Sequence, residues 1–521
     1  MAMRVAPPSL NYDSVLPLAI SSRANRRTFQ STNGATFSNA TGATICKVQI
    51  NADSMLDAGH SYLQVQLNNT SAVADMNLIP EIGPAFIQRL VISSGGVVIE
   101  DINEYGRLYA NMMLQQTSED YCRNVCGGYG LVPSLTSSCA AGDAVSGPML
   151  GTGAGWSATL TATGAAAVVA QTELATGINT DGEIYYTPTL QTACAGVEPT
   201  TGVNNAGAAA NRPDAGGVAK YQQCGSIAPG TGRIITIPLL SGFLNNSKLI
   251  PLIMMNAGFE IEVHLASNNK VGCSGTQQVS ENAGALVDTS YSLTNVQYVA
   301  QLIDLDASFY GKLREVMSAS GGAIQLAGQS YRHYAGQLGA AASEYTITLP
   351  ARVKSIKSIF NTFIDTTQSN SNTCWGTSVF QNAAITSYRF EIGSVRYPQS
   401  DVNTAPGQRN ETTAELHKAF GRLGDYSHSS SVRPKHLENV ETLREPLNID
   451  ACGLSGFCIG QDFESFQRVA LESGINTADR SLPVNFICRK GATANTTNMD
   501  SWVLSDAIYF VNSDGTLNVS V

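Results

Sequence analysis

Charge is what this sequence has least of. Only 14% of its 521 residues are Asp, Glu, Lys or Arg, against roughly a quarter in an average soluble domain. A surface so poor in charge is expected where much of it is buried against neighbours. The balance is acidic: 31 Lys and Arg against 41 Asp and Glu, a formal net charge of −10. Sequence-independent nucleic-acid binding draws its affinity from a basic face that neutralises phosphates, and the chain as a whole lacks one. A small basic cluster, Arg23, Arg26 and Arg27, reads as a solvated or partner-docking arm.

Long apolar runs are missing too. No uncharged apolar stretch approaches the ~20 residues that span a bilayer. Met1 to Pro8 holds no apolar core of signal-peptide length. A reducing compartment is therefore expected. The 11 scattered cysteines, an odd number, fit free thiols better than a disulfide framework. Sequons such as Asn39-Ala40-Thr41 and Asn410-Glu411-Thr412 are expected to stay bare.

Catalytic constellations are equally scarce. His60, His264, His333, His417, His428 and His436 make no H-E-x-x-H and no close His–Cys pair. Cys122 and Cys126, and Cys452 and Cys458, lack the second short-spaced pair of a structural zinc site; buried free thiols are the simpler reading. Gly127-Gly128-Tyr129-Gly130 lacks the Gly-Lys-Ser/Thr ending of a phosphate loop, and no G-x-S-x-G elbow occurs. Asp304 and Asp306 lack a calcium-loop glycine and read as solvated acids before a helix. Arg352, Lys354 and Lys357, placed on one strand, read as a partner-facing edge or as inter-subunit salt bridges. No residue is assigned a catalytic, cofactor-binding or metal-ligating role, and no enzymatic activity is expected.

What the chain does have is repetition. Ser241-Gly242, Lys248 and Ile250-Pro251-Leu252 return as Ser473-Gly474, Arg480 and Leu482-Pro483-Val484, at an offset of 232. Arg89-Leu90-Val91-Ile92-Ser93-Ser94 is echoed by Arg389-Phe390-Glu391-Ile392-Gly393-Ser394 at an offset of 300. Thr294-Asn295-Val296-Gln297-Tyr298-Val299 is echoed by Ser505-Asp506-Ala507-Ile508-Tyr509-Phe510 at 211. Each echo is weak alone, but their kept order predicts two copies of one β-rich domain. Arg89 to Ser241 spans 152 residues and Arg389 to Ser473 only 84, so the first copy carries an insertion. Gly127 to Gly232 supplies it, rich in Gly, Ala, Thr and Ser, with Arg212 and Lys220 as its basic residues. So few large apolar side chains do not offset roughly 1–2 kcal/mol of backbone entropy per fixed residue. The insertion is expected to be loop-like, ordering on neighbouring chains.

Between these landmarks the pattern is one of short strands. Leu63, Val65 and Leu67 alternate with Gln64, Gln66 and Asn68, and Phe259 to Leu265 alternates cleanly. Phe86 to Ile92, the turn Ser93 to Gly96 and Val97 to Ile99 make a hairpin, and Ser387 to Tyr397 a second. Tyr291 to Leu305, Tyr345 to Leu349 (read as the opening of the second copy), Val353 to Phe360, Asn485 to Cys488 and Trp502 to Val511 add more. Three helices interrupt them. One carries Ile102, Tyr105, Leu108, Tyr109, Met112 and Met113 on one face; a connector runs Ser308 to Met317 and stops at Gly321-Gly322; the third runs Thr413 to Phe420. Sandwiches or jelly rolls follow from such a pattern.

A set of these stretches resembles a known family. They are Ser61 to Leu67, Ile99 to Tyr105, Ile237 to Gly242, Lys248 to Leu252, Tyr331 to Tyr334, Ile347 to Arg352, Tyr397 to Ser400 and Leu471 to Gly474. In that order the chain is similar to the double jelly-roll major capsid proteins of tailless icosahedral double-stranded DNA viruses, of the polinton-like virus and virophage type. The resemblance implies an all-β fold of two tandem jelly-roll β-sandwiches with a few short helices. Residues 1–28 are then an N-terminal arm, 29–305 the first jelly roll with a loop or tower insertion at 127–232, 306–320 a connector helix, and 321–521 the second jelly roll. It implies a structural capsid role: homotrimeric, pseudo-hexagonal capsomers tiling an icosahedral shell, located in the virion and assembled inside the host cell. Expected partners are other copies of the chain, neighbouring capsomers, penton proteins and minor or cement proteins. An internal membrane contact is compatible with it, and sequence-specific nucleic-acid binding is not expected. The alternative is a β-sandwich carbohydrate-binding or adhesin-type surface protein; a hydrolase on a double β scaffold would need convergent acids that the sequence does not display.

Overall fold

The computed structural model describes residues 21–39, 43–72, 76–78, 83–118, 230–274, 290–369, 380–405, 407–425, 456–466, 473–478 and 482–521, with short pieces at 177–178, 184–185, 226–227, 377, 430 and 432. Among the described residues eight main strands occur in the first half and recur in the second, beside shorter ones such as Thr36–Ser38, Met76–Leu78 and Leu517–Ser520. In the first half they are β1 (Ser22–Gln30), β2 (Ile45–Ile50), β3 (Met55–Asn69), β4 (Ile87–Ser94), β5 (Val97–Asn103), β6 (Gly232–Ile237), β7 (Phe259–Leu265) and β8 (Tyr291–Leu305). In the second they are β9 (Ala323–Leu338), β10 (Ser343–Leu349), β11 (Ile356–Asp365), β12 (Ile385–Ile392), β13 (Val395–Asn403), β14 (Ile459–Asp462), β15 (Val484–Lys490) and β16 (Thr497–Asn512).

The two main sheets of the first half run β1-β8-β3-β6 and β2-β7-β4-β5, and those of the second run β9-β16-β11-β14 and β10-β15-β12-β13; short strands extend two of these and form small sheets of their own. Adding eight to each label of the first half gives the second. All these pairings are antiparallel. Paired sheets whose four main strands are wound in this order form a jelly roll, and the chain contains two. The echoes fall on matching elements: the Arg-led pair on β4 and β12, the third pair on β8 and β16, and the Ser-Gly pair in the connections that follow β6 and β14. The helix α1 (Tyr105–Gln116) follows β5, and α3 (Asn410–Ala419) follows β13 in the same place. Between the halves lies α2 (Ala307–Ala319), ended by Gly321 and Gly322 at φ +76° and +91°, angles that favour glycine.

Alternation makes the sheets two-faced. On β7, Phe259, Ile261, Val263 and Leu265 are buried while Glu260, Glu262 and His264 point outward. On β3, Leu63, Val65 and Leu67 go in and Gln64, Gln66 and Asn68 go out. One apolar core fills the first half and runs on into the second, taking in Leu326, Phe360, Leu416, Trp502 and Tyr509. The other is confined to the second half, where Phe486 packs its ring 5.2 Å from Phe390 and 6.2 Å from Phe363.

The halves stand side by side and the same way up. Asn256, between β6 and β7, bonds the turn after β16 (N–H to the Gly515 carbonyl, 3.1 Å), while α1 at the other end of the first half reaches the start of β16. In a jelly roll wound in this order the β1–β2, β3–β4, β5–β6 and β7–β8 connections share one end. The 127–232 insertion belongs to the β5–β6 connection, and nearly all of it lies outside the described residues.

Two expectations need correcting. Residues 22–28 are not arm but most of β1, paired with β8 from Ser22–Leu305 to Gln30–Gln297. The second half opens not at Tyr345 but with β9, sixteen residues long. Both are edge strands with much exposed surface, so neither shows the strict apolar alternation that a half-buried strand displays.

Truncating Phe486 to Ala should cost about 3–5 kcal/mol, the usual loss for a buried aromatic. Thr346→Ala, on the exposed side of β10, should change stability by under about 0.5 kcal/mol. Denaturant unfolding of the two variants tests whether the second half has a tightly packed core of its own.

Candidate functional site

The first half meets the second through α1, and the contact is polar where the sequence suggests solvent. Arg107, Asn111 and Gln115 recur every four residues and so share one helical face; all three are buried and all three bond the second half. Arg107 Nε donates to Asp500 Oδ2 at 2.9 Å, its guanidinium reaches Thr362 Oγ1 at 3.4 Å, and it lies over the Phe380 ring at 5.0 Å. His333 Nε2 lies 2.9 Å from Asp500 Oδ1. Asn111 donates to Cys458 Sγ at 3.3 Å and Gln115 to the Gly456 carbonyl at 2.7 Å. Tyr105, Leu108, Tyr109 and Met112 bury the rest of the helix in the first core. Burial would push the Asp500 carboxyl up, but the Arg107 charge and the His333 bond outweigh it and hold the group below the ordinary carboxylate range.

A second buried acid sits at the same boundary. Glu100, on β5, accepts from Ser241 Oγ and from the Gly242 and Phe243 N–H groups at 2.9 and 3.4 Å. Burial raises its carboxyl above the ordinary range, and these bonds pull only partly the other way. Gly242 has a steric reason: a Cβ there would run into the Gln329 carbonyl of β9. Its echo Gly474 is pressed in the same manner against the Ile356 carbonyl of β11. The repeated Ser-Gly thus marks close backbone approach in both halves, across the boundary in one and within the half in the other.

Arg352, Lys354 and Lys357 do not share a strand. Lys357 alone lies on β11, where it bonds Glu464 at 2.9 Å and Asp506 at 3.5 Å within the chain. Lys354 donates to Ser520 Oγ at 2.9 Å, and the Arg352 carbonyl accepts from Arg332 at 3.5 Å. Asp304 accepts from Asn25 at 2.8 Å, and Asp306 precedes α2 and accepts from Ser308 at 3.2 Å. Cys46, Cys458 and Cys488 are buried free thiols, each pushed up to about 12 by burial. Cys122, Cys126 and Cys452 lie outside the described residues, as do His428 and His436. His60 pairs with Asp57 at 2.8 Å in the open. Among the described residues no three His, Cys, Asp or Glu side chains gather as metal ligands.

The outward faces differ in kind. On β2-β7-β4-β5, Lys47 bonds Glu260 and Glu262 at 3.0 and 2.6 Å, and Arg89 grips Asp101 with two bonds of 2.7 and 2.6 Å. A shallow cleft of about 520 Å³ opens over these groups and His264; burial, then the Arg89 charge, hold that histidine below its ordinary range. The matching face of the second half is charged too: Arg389 meets Asp401 at 3.3 Å and Glu391 at 3.0 Å, and Arg489 meets Glu344 at 3.0 Å. Arg89–Asp101 and Arg389–Asp401 are one pair kept in both halves. The offset of 300 that joins the arginines also joins the aspartates, a signal that sequence reasoning passed over. On the β1-β8-β3-β6 sheet, which also carries His60–Asp57 and Arg26 over the Tyr62 ring, the stretch of β3 and β8 around Gln64 to Asn68 is instead a ladder of neutral groups. Gln297 bonds Gln64, Asn295 bonds Gln66 at 2.8 Å, and Asn68 bonds Thr294 at 2.9 Å.

No family model matches the chain, and no curated protein matches it by sequence. Solved structures match along its whole length. The Faustovirus major capsid protein has 8% identity and a TM-score of 0.53, over 96% of this chain and 92% of that one. A chain of the Sputnik virophage structure has 9% identity and a TM-score of 0.52, over 100% and 93%. PBCV-1 VP54, fitted into a reconstruction of the virophage Sputnik, has 10% identity and a TM-score of 0.51, over 98% and 99%. At these identities the likeness is one of fold, and the fold is the double jelly roll. The carbohydrate-binding alternative finds no support in these likenesses.

Arg107→Ala leaves Asp500 buried without its cation and should cost about 3–5 kcal/mol, whereas Arg89→Ala, at a half-exposed pair, should cost at most about 1 kcal/mol. Chemical denaturation separates the two. Glu100 predicts a pH effect of opposite sign to a salt-bridged acid. A carboxyl raised on folding contributes stability that is fully present below its unfolded value, about 4.3, and is lost as pH climbs through the raised folded value. The stability of the natural chain relative to Glu100→Gln should therefore shrink between pH 5 and pH 8; a difference that stays constant over that range contradicts the assignment.

Proposed function

We propose that this chain is the major structural protein of an icosahedral viral capsid, three copies forming a capsomer with a pseudo-hexagonal outline. The observation that carries the reading is the exact-order repeat of the jelly-roll topology in two halves that stand side by side and the same way up. Two like units per chain, taken three times about an axis, present six similar flanks, so a trimer can occupy a six-coordinated lattice position. The similarity in fold to major capsid proteins supports the same conclusion. So does the low charge content of 14%, since a chain surrounded by neighbours buries surface that a free monomer would have to solvate.

In this reading the protein acts by assembly and catalyses nothing. Its place is the virion, and its partners are other copies, adjoining capsomers, and the penton and minor proteins that close a shell. The insertion in the β5–β6 connection, at one end of the first half, is suited to a projection over the capsomer.

Light scattering on the purified protein should give about three times the chain mass of 55.0 kDa, held by interfaces of at least about 2,000 Å² as in obligate oligomers. Electron microscopy of the same sample should show three-fold particles or shells. A stable monomer at micromolar concentration contradicts the proposal.

A further inference from the structure

Three ionisable side chains converge at the start of β11. Lys357 Nζ lies 2.9 Å from Glu464 Oε1 and 3.5 Å from Asp506 Oδ1, and the three side chains are only 12%, 9% and 4% exposed. They come from three neighbouring segments: Lys357 from β11, Asp506 from β16, and Glu464 from the segment just after β14. A β-bulge sets Lys357 in place. The register between β11 and β16 shifts between Ile356 and Ser358, which leaves Lys357 as the extra residue, and a bulge re-aims the side chain it carries. Asp506 is anchored at two points. Its N–H donates to the Ser355 carbonyl at 3.1 Å, and Ser355 Oγ donates to Asp506 Oδ2 at 2.7 Å. The repeated Ser-Gly braces the group: Gly474 N–H donates to Ser355 Oγ at 3.0 Å, and Ser473 Oγ donates to Glu464 at 3.2 Å.

We propose that Lys357 and Asp506 condense into an intramolecular amide, with Glu464 carrying the protons. Lys357 enters as an ammonium and Asp506 as a carboxylate. Glu464 takes a proton from Nζ, and the freed amine attacks Asp506 Cγ to form the N–C bond. The Ser355 hydroxyl steadies the charge that develops on Oδ2, as an oxyanion donor does. The Cγ–Oδ1 bond then breaks. Oδ1 leaves as water with two of the three protons that Nζ brought, and the third stays on the amide nitrogen. Glu464 hands on each proton it takes and ends as the carboxylate it began. Nothing is oxidised or reduced. The event occurs once per chain, turns over no substrate, and does not depend on the capsomer reading.

Three features separate this pair from the other ion pairs among the described residues. First, water is nearly excluded from it, whereas Lys47, Lys270 and Lys418, the lysines of the other pairs, are 36%, 23% and 38% exposed. Second, a buried lysine can give up its proton. The guanidinium of the equally buried Arg107–Asp500 pair does not deprotonate in proteins. Third, well-oriented neighbours react at effective concentrations that reach about 10⁵–10⁸ M, which offsets the preference of free amines and acids in water to stay ionised. The product also suits its site, since a buried ion pair carries a desolvation cost that a neutral amide largely escapes. The link would tie together β11 and β16, the strands that serve both cores through Phe360 and Trp502 on one side and Phe363 and Val503 on the other. The described cysteines are free thiols, and an amide, unlike a disulfide, survives reduction.

Proteolytic digestion of the natural chain after denaturation, followed by tandem mass spectrometry, tests the link. The expected product is a branched peptide joining the segments around Lys357 and Asp506, lighter than its two parts together by one water. Glu464→Gln should slow its formation by about a hundredfold or more, the usual worth of a positioned proton carrier, so that the freshly purified variant carries mostly unlinked peptides. Lys357→Ala should remove the one-water deficit from the intact mass. Finding only unlinked peptides at both positions in the natural chain overturns the proposal, whether or not either variant folds. So does a one-water deficit that persists in Lys357→Ala, because it then arises elsewhere in the chain. A Glu464→Gln chain that links as fully as the natural one overturns the role given to Glu464. The oligomeric state of the protein, which decides the capsomer reading, alters none of these results.

Discussion

The sheet β9-β16-β11-β14 lies between two layers of protein, and much else follows from that position. One side faces the core of the second half through Ile359, Phe363, Met499 and Val503. The other side, with Phe360, Trp502, Leu504 and Tyr509, completes the core of the first half. A charged side chain on a sheet covered on both sides needs a buried partner. Asp500 on β16 is such a case. An ionised carboxylate removed from water is costly unless paired and hydrogen-bonded, and Asp500 is both, with Arg107 from the other half and His333 from the neighbouring strand. The pair links residues 393 apart in sequence, so it fixes how the halves dock as well as compensating the charge.

The same constraint accounts for how the repeat has diverged. Topology is kept in every strand, and the Arg–Asp pair of β4–β5 is kept in β12–β13. Both features serve each half separately, since hydrogen-bonded strand order and a cross-strand ion pair do not depend on what lies outside the half. What differs is the outward dress of matching strands. Gln64 and Gln66 on β3 look outward, while Phe360 on β11 looks into the other half. The Ser-Gly echo shows both behaviours at once. Each glycine admits a neighbouring carbonyl, but Gly242 meets the other half and Gly474 its own.

Much of the fold was legible because burial is one-sided over most of the first half. Strict alternation on β7, and on β3 from Ser61 onward, betrays a sheet with one wet face. The glycines at Gly95-Gly96 and Gly321-Gly322 take positive φ where turns were expected. Edge strands escaped, since β1 and much of β9 are too exposed to show a core side. The boundary chemistry escaped for a different reason. Arg107, Asn111 and Gln115 form an ordinary polar stripe, and a polar stripe on a helix normally means water. Nothing local tells a reader that the stripe faces another domain; only the tertiary fold brings Asp500, Cys458 and Gly456 to it. The Arg89–Asp101 pair was within reach, because both members repeat at the same offset.

The asymmetry between the halves also bears on why the chain is so poor in charge. Part-exposed ion pairs cluster on the outward faces of β2-β7-β4-β5 and β10-β15-β12-β13, whereas those of β9-β16-β11-β14, such as Arg107–Asp500 and Lys357–Asp506, are nearly buried. For β9-β16-β11-β14 the reason is visible, since the first half covers that sheet and a charge there needs a buried partner. On β1-β8-β3-β6 the stretch around Gln64, Gln66 and Asn68 is a ladder of amides, with the His60–Asp57 pair further along β3. Amides are well suited to a surface that is wet before assembly and dry after it. Removing an amide from water costs far less than removing an ion, and each amide can exchange a water for a partner while keeping its bond along the ladder. Such a stretch can pass from water to a protein neighbour at lower cost than the ion-paired sheets of the same molecule.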